Sequence, residues 1–242
     1  MSAADLRFID APTREQAAQI AAEIIAADLD LAIAKRGTAS LLLSGGSSPR
    51  PVYQRLSGED LDWSHIVCGL VDERWVPEGH SASNASFIRE SLLQGKAQSA
   101  SFLPMTNDAP SAAAGASEVG GRYLSMGQPF DVCVMGMGTD GHTASWFPDS
   151  PDLHAALDMT GQNLVMGVDA SACEGAGEVR ERITLTLPSV IASGTIILLI
   201  MGEEKRAVFE RARALHADGD ITTHPVASLL DGGERLVVVW AA

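Results

Sequence analysis

Phe130-Asp131-Val132-Cys133-Val134-Met135-Gly136-Met137-Gly138-Thr139-Asp140-Gly141-His142-Thr143-Ala144-Ser145-Trp146-Phe147-Pro148 opens as an apolar run, Val132 to Met135, of the length of a buried strand. It then breaks into three glycines within six residues. Those glycines deliver an acid and an imidazole, Asp140 and His142, to the end of the strand. Open α/β sheets take their ligands in the crevice beyond the carboxyl ends of their strands. A histidine placed there reads as chemical rather than structural. The spacing of Gly136, Gly138 and Gly141 also satisfies GxGxxG. That fingerprint needs a smoothly entered helix and an acid about 20 residues on. Here Pro148 would cut the helix, and Asp158 lies in a polar loop, so the dinucleotide reading is set aside. His142 then reads as a general base, because a free imidazole titrates near ~6.5 and suits taking a proton from water at neutral pH.

The same order of strand and turn recurs on either side. Residues 39–43 are a short apolar run followed by Ser44-Gly45-Gly46-Ser47-Ser48-Pro49 and a helix over 51–56. A helix over 13–34 has Thr13 as N-cap, Gln16 three residues on, and Gly37 as its stop. Strands are predicted over 66–71, 163–168, 183–186, 195–201 and 235–240. Helices are predicted over 84–93 (capped by Ser83 or Asn84), 112–126, 203–215 and 225–230. Alternating strands and helices mean an α/β fold: a doubly wound, mostly parallel, Rossmann-like sheet with helices on both faces. The unbroken apolar character of 41–43, 132–135 and 196–200 suits strands buried on both faces. The loosest segments, 94–111 and 170–179, do not read as linkers, so residues 1–242 are expected to form a single domain.

A net charge of −14 repels polyanions, which argues against nucleic acid and anionic membrane surfaces as partners. A small anionic ligand stays compatible, because one pocket can be positive on an acidic protein. With only 17 Lys and Arg in the chain, a cation inside a Gly-rich motif stands out. Cys68, Cys133 and Cys173 are scattered without metal spacing, which favours a reducing cytoplasm. The first ten residues show no signal-peptide pattern, and the longest apolar stretch, 195–201, falls far short of the ~20 residues that span a bilayer.

Three further motifs carry chemistry. Paired glycines in Ser44-Gly45-Gly46-Ser47 let backbone amides converge on an anion, with serine hydroxyls as extra donors. An ordinary βα turn is the competing reading, and no Walker loop is present. Asp72-Glu73-Arg74 ends a strand. Either it is a solvated charge cluster, or Arg74 binds phosphate or an oxyanion in the crevice. Arg182 opens a strand and Lys205 follows Gly202 at a strand-to-helix turn; both suit an anion, or plain surface charge. No HExxH, paired CxxC or GxSxG appears, so neither a metal nor a serine nucleophile is expected. His80, His154, His216 and His224 are assigned no role.

Taken in order, these motifs resemble the 6-phosphogluconolactonase family. The resemblance rests on Ser44–Ser47, Asp72–Pro77, Ser83-Asn84, Gly136–Pro148, Arg182–Thr184 and Gly202–Lys205, and it spans nearly the whole chain. It implies a glucosamine-6-phosphate deaminase-like fold and hydrolysis of 6-phospho-D-glucono-1,5-lactone in the pentose phosphate pathway, with no cofactor. It implies His142 as base and Arg74 at the oxyanion, with Asp140 or Asp72 orienting the imidazole. Ser44, Gly45, Gly46, Ser47, Arg182 and Lys205 would hold the 6-phosphate, in a monomer or homodimer. The related deaminases look similar in the first loop, Asp-Gly-His and Gly-x-x-Lys, but typically carry Asp-Glu-Tyr and a catalytic Glu after Asp-Gly-His. Here Arg74 and Thr143-Ala144-Ser145-Trp146-Phe147-Pro148 stand instead. A sugar-phosphate isomerase or deaminase, or a non-catalytic sugar-phosphate binding domain, is the alternative.

Overall fold

The computed structural model describes residues 6–242. In chain order the strands are β1 (Arg7–Asp10), β2 (Ala39–Leu43), β3 (Ile66–Leu70), β4 (Asp72–Arg74), β5 (Ser101–Phe102), β6 (Val132–Met135), β7 (Val165–Asp169), β8 (Glu181–Leu185), β9 (Thr195–Met201) and β10 (Leu236–Ala241). The α-helices are α1 (Arg14–Arg36), α2 (Arg50–Leu56), α3 (Asn84–Ser91), α4 (Ala112–Leu124), α5 (Leu153–Leu157), α6 (Leu187–Ile191) and α7 (Glu203–Ala217).

Local signals set several of these bounds. Thr13 Oγ1 accepts from Gln16 N at 3.1 Å and starts α1, and the N–H of Gly37 bonds Ile33 O at 2.7 Å to end it. Ala17, Ala18, Ala21 and Ala22 are buried, so this helix lies close on β2, β6, β9 and β10. Ser83 rather than Asn84 caps α3. Residues 225–235 form 3-10 turns around a kink at Gly233 instead of a short α-helix.

Seven strands form one sheet in the order β1-β10-β9-β6-β2-β3-β5, with every pairing parallel. Every residue of β2, β6 and β10 is buried, as their unbroken apolar runs require. The chain builds outward from β2 through β3 to β5, then returns to the other side of β2 with β6 and continues to β9 and β10. The order therefore reverses between β2 and β6, which pair Leu41 with Val132. Connections leaving two such strands part in opposite directions and open a crevice beyond the strand ends.

A larger expectation also changes. Residues 163–168 and 183–186 do not join the parallel sheet. β7 and β8 pair with each other antiparallel, and β8 pairs antiparallel with β4 in a separate sheet of order β4-β8-β7. Parallel neighbours need a crossover, usually a helix, and the segment between β7 and β8 supplies none. Asp72-Glu73-Arg74 is thus itself a strand, setting Asp72 opposite Thr184 and Arg74 opposite Arg182.

β1 escaped the sequence reading because Arg7-Phe8-Ile9-Asp10 has no local pattern and is fixed by its pairing with β10. Among the described residues, no helix is long and apolar enough to cross a membrane.

Candidate active site

The crevice at the β2/β6 reversal is a cleft of about 300 Å³. Nine of the ten candidate residues line it: Ser44, Gly45, Gly46, Ser47, Asp72, Arg74, His142, Arg182 and Lys205. The tenth, Asp140, stands behind His142.

The turn after β6 is tied to itself. Gly138 N donates to His142 O at 2.9 Å, Gly141 N to Gly138 O at 3.1 Å, and Thr143 Oγ1 to Gly136 O at 2.7 Å. Within this frame Asp140 Oδ1 lies 2.6 Å from His142 Nδ1 and also accepts from His142 N. A carboxylate at Nδ1 fixes the proton there and leaves Nε2 as the free acceptor. Burial works to raise the Asp140 carboxyl, but the hydrogen bonds and charge of His142 outweigh it and hold it below its ordinary range. Gly138 is required by this packing, since a Cβ there would lie 2.3 Å from the imidazole. The Phe147 ring covers the imidazole from 4.6 Å.

It is Asp140, not Asp72, that contacts the imidazole. Asp72 is engaged elsewhere: Ser145 Oγ donates to its Oδ2 at 2.7 Å, Asn84 Nδ2 donates to its carbonyl at 2.9 Å, and Arg182 Nη1 lies 3.9 Å from Oδ2. Ser145 also ties the turn after β6 to the small sheet, through Thr184 Oγ1.

The rest of the cleft lining is cationic and incompletely satisfied. Among the described residues, three buried side-chain polar atoms have no partner, and two of them, Ser44 Oγ and Arg74 Nε, are in residues that line this cleft. Buried polar groups are normally paired, so two unpaired ones in residues that line one cleft mark it out from the rest of the interior. Arg74 is held by Nη1, which donates to Ala82 O. Arg182 is 3% exposed; burial lowers its pKa to about 10, while Asp72 pulls it back up. Its Nε donates to Val179 O at 2.8 Å and its Nη2 to Ala176 O, which leaves Nη1, 3.9 Å from Asp72 Oδ2, as the nitrogen of this guanidinium with no hydrogen bond among the described residues. Burial likewise lowers Lys205, against the charges of Glu204 and Asp140. No ion pair engages Lys205 among the described residues.

Glu73 explains how this wall is held. Its carboxylate is buried and accepts from Arg74 N, Ser83 Oγ, Asn84 N and Ala85 N at 2.7–2.9 Å. Burial raises its pKa and these four donors oppose the rise. It fixes the start of α3, and with it Asn84. The amide of Asn84 fills the place where a Cβ on Gly45 would stand, 1.9 Å from Asn84 Oδ1. This dictates glycine in the first turn.

Sequence reasoning gave no role to His224. Its Nδ1 lies 3.2 Å from Asp140 O, and Val226 N donates to Gly141 O at 2.9 Å, so the segment after α7 braces the turn after β6. No local motif marks this contact, which spans more than eighty residues of chain. Among the described residues, no group of three or more His, Cys, Asp or Glu side chains could hold a metal ion.

Fold and site together define a doubly wound α/β protein whose polar, cation-lined cleft opens at the reversal of its parallel sheet. The chain belongs to the glucosamine-6-phosphate isomerase/6-phosphogluconolactonase family, whose model matches residues 12–239. A 6-phosphogluconolactonase from Rhizobium meliloti is 42% identical over 225 residues, covering 93% of this chain and 94% of that protein. The crystal structure of a 6-phosphogluconolactonase from Shewanella baltica superposes with a TM-score of 0.91 at 37% identity, covering 100% of both chains. A monomeric glucosamine-6-phosphate deaminase, at 20% identity and a TM-score of 0.75, covers 98% of this chain and 97% of its own, and shares the fold.

Proposed function

We propose that the chain is a 6-phosphogluconolactonase, hydrolysing 6-phospho-D-glucono-1,5-lactone to 6-phosphogluconate with His142 as general base. The observation that carries the reading is the 2.6 Å contact between Asp140 and His142 Nδ1, which frees Nε2 at a cleft walled by Arg74, Arg182 and Lys205. Nε2 takes a proton from a water whose oxygen bonds to the lactone carbonyl carbon. Arg74, which lines the cleft, stabilises the oxyanion that forms. The intermediate collapses with cleavage of the bond to the ring oxygen, which takes the proton from the imidazolium. The acid then ionises to the product carboxylate.

Ser44, the Gly45-Gly46-Ser47 backbone, Lys205 and the remaining donor of Arg182 hold the 6-phosphate. Anchoring matters because a lactone already opens in water; what the protein adds is orientation of the carbonyl to the base. This chemistry asks for a base and an oxyanion site, and the reading includes no cofactor. It takes the chain as one lactonase domain acting in the cytoplasm, which its three buried free thiols suit.

A coupled assay that follows loss of freshly generated 6-phosphogluconolactone tests the reading. Decay should accelerate in proportion to protein and far less for the unphosphorylated lactone. No acceleration over spontaneous decay, together with ammonia release from glucosamine 6-phosphate, would move the chain to the deaminase branch.

A further inference from the structure

Residues 170–180, which join β7 to β8, lie against the Asp140–His142 pair at their middle. A Cβ on Gly175 would stand 2.1 Å from Asp140 Oδ2 and 3.3 Å from His142 Nδ1. The Gly175 backbone therefore touches the carboxylate edge that His142 leaves free. Gly175 is not among the glycines of positive φ, so contact rather than backbone conformation demands a glycine here.

The segment is pinned on both sides of that point. Arg180 Nη1 donates to Cys173 O, and Arg182 donates through Nη2 to Ala176 O and through Nε to Val179 O at 2.8 Å. Cys173 and Ala176 are buried with Phe147, the ring that covers His142. A strap fixed at Cys173, Ala176 and Val179 cannot lift at Gly175 without breaking these bonds.

We propose that Gly175 is a positioning residue for the hydrolysis: its backbone stops the Asp140 carboxylate from swinging away from His142 Nδ1, and Arg182 holds the strap that carries it. The proposal rests on the general-base reading of His142. It gives Arg182 a second task beside the phosphate.

The experiment compares Gly175→Ala, Gly175→Ser, Glu174→Ala and His142→Ala in the full chain. Each is assayed on fresh lactone, with thermal melting and with the Nδ1 resonance of His142 read in proton–nitrogen correlation spectra. Gly175→Ala should lower kcat about tenfold to hundredfold, since a small displacement of the base costs that much. KM should stay within about twofold, the melting point should hold, and the Nδ1 resonance should move. Gly175→Ser should lose more, and Glu174→Ala, an exposed neighbour on the strap, should match wild type. Wild-type kcat in Gly175→Ala beside an inactive His142→Ala would overturn this proposal alone, as would a rise confined to KM. Full turnover in His142→Ala would overturn the general-base reading and this proposal with it.

Discussion

The turn after β2 holds a buried hydroxyl, Ser44 Oγ, with no partner, whereas the turn after the adjacent strand β6 ties its groups to one another. Both leave a fully buried parallel strand, and both are rich in glycine. In the first, glycine makes room for Asn84, and the neighbouring Ser44 hydroxyl is left without a protein partner. In the second, glycine lets backbone close around an imidazole whose tautomer a carboxylate has fixed. A turn with unused donors suits a ligand that brings its own charge; a closed network suits a base whose direction has to be set before substrate arrives. Under the proposed function the first turn serves binding and the second turnover, and substitutions can separate the two.

The largest effect should come from the closed turn. Asp140→Asn keeps the shape but removes the charge that fixes Nδ1–H, and kcat should fall on the order of hundredfold with KM little changed. A change confined to KM would break the assignment. Next is Lys205→Ala on the open side. Losing a charge-assisted contact of about 1.5–3 kcal/mol should raise KM roughly tenfold to hundredfold while kcat holds; kinetics on the phosphorylated lactone would show it. Thr143→Val removes only the bond from Oγ1 to Gly136 O inside the closed turn. It should cost about 1–3 kcal/mol of stability, read as a lower denaturation midpoint. The smallest effect is expected of Ser44→Ala. Its hydroxyl has no protein partner, so the fold should lose nothing measurable and KM should rise by a few-fold, about 1 kcal/mol.

The central strands and the residues at their ends were legible because each signal was local. Val132 to Met135 and Leu41 to Leu43 announce burial on both faces, and the glycines after them announce a crevice. What was not legible depends on residues far apart in the chain. Asp140 meets His142 from two residues away, but that Asp72 is taken up by Ser145, Asn84 and Arg182 is something no spacing reveals. The small antiparallel sheet hid behind the expectation of a single parallel one. The lack of a crossover helix between 169 and 181 was the clue available. Arg182, read as a phosphate ligand, proves to have two of its nitrogens on the strap of residues 176–179. His224 and Gly175 reach Asp140 only through tertiary packing.

The most direct test is turnover and product binding measured together on His142→Ala. The account predicts that 6-phosphogluconolactone then decays at close to its spontaneous rate, while 6-phosphogluconate binds with near wild-type affinity, because the cationic wall is untouched. Near wild-type turnover in that variant would contradict the assignment of the base.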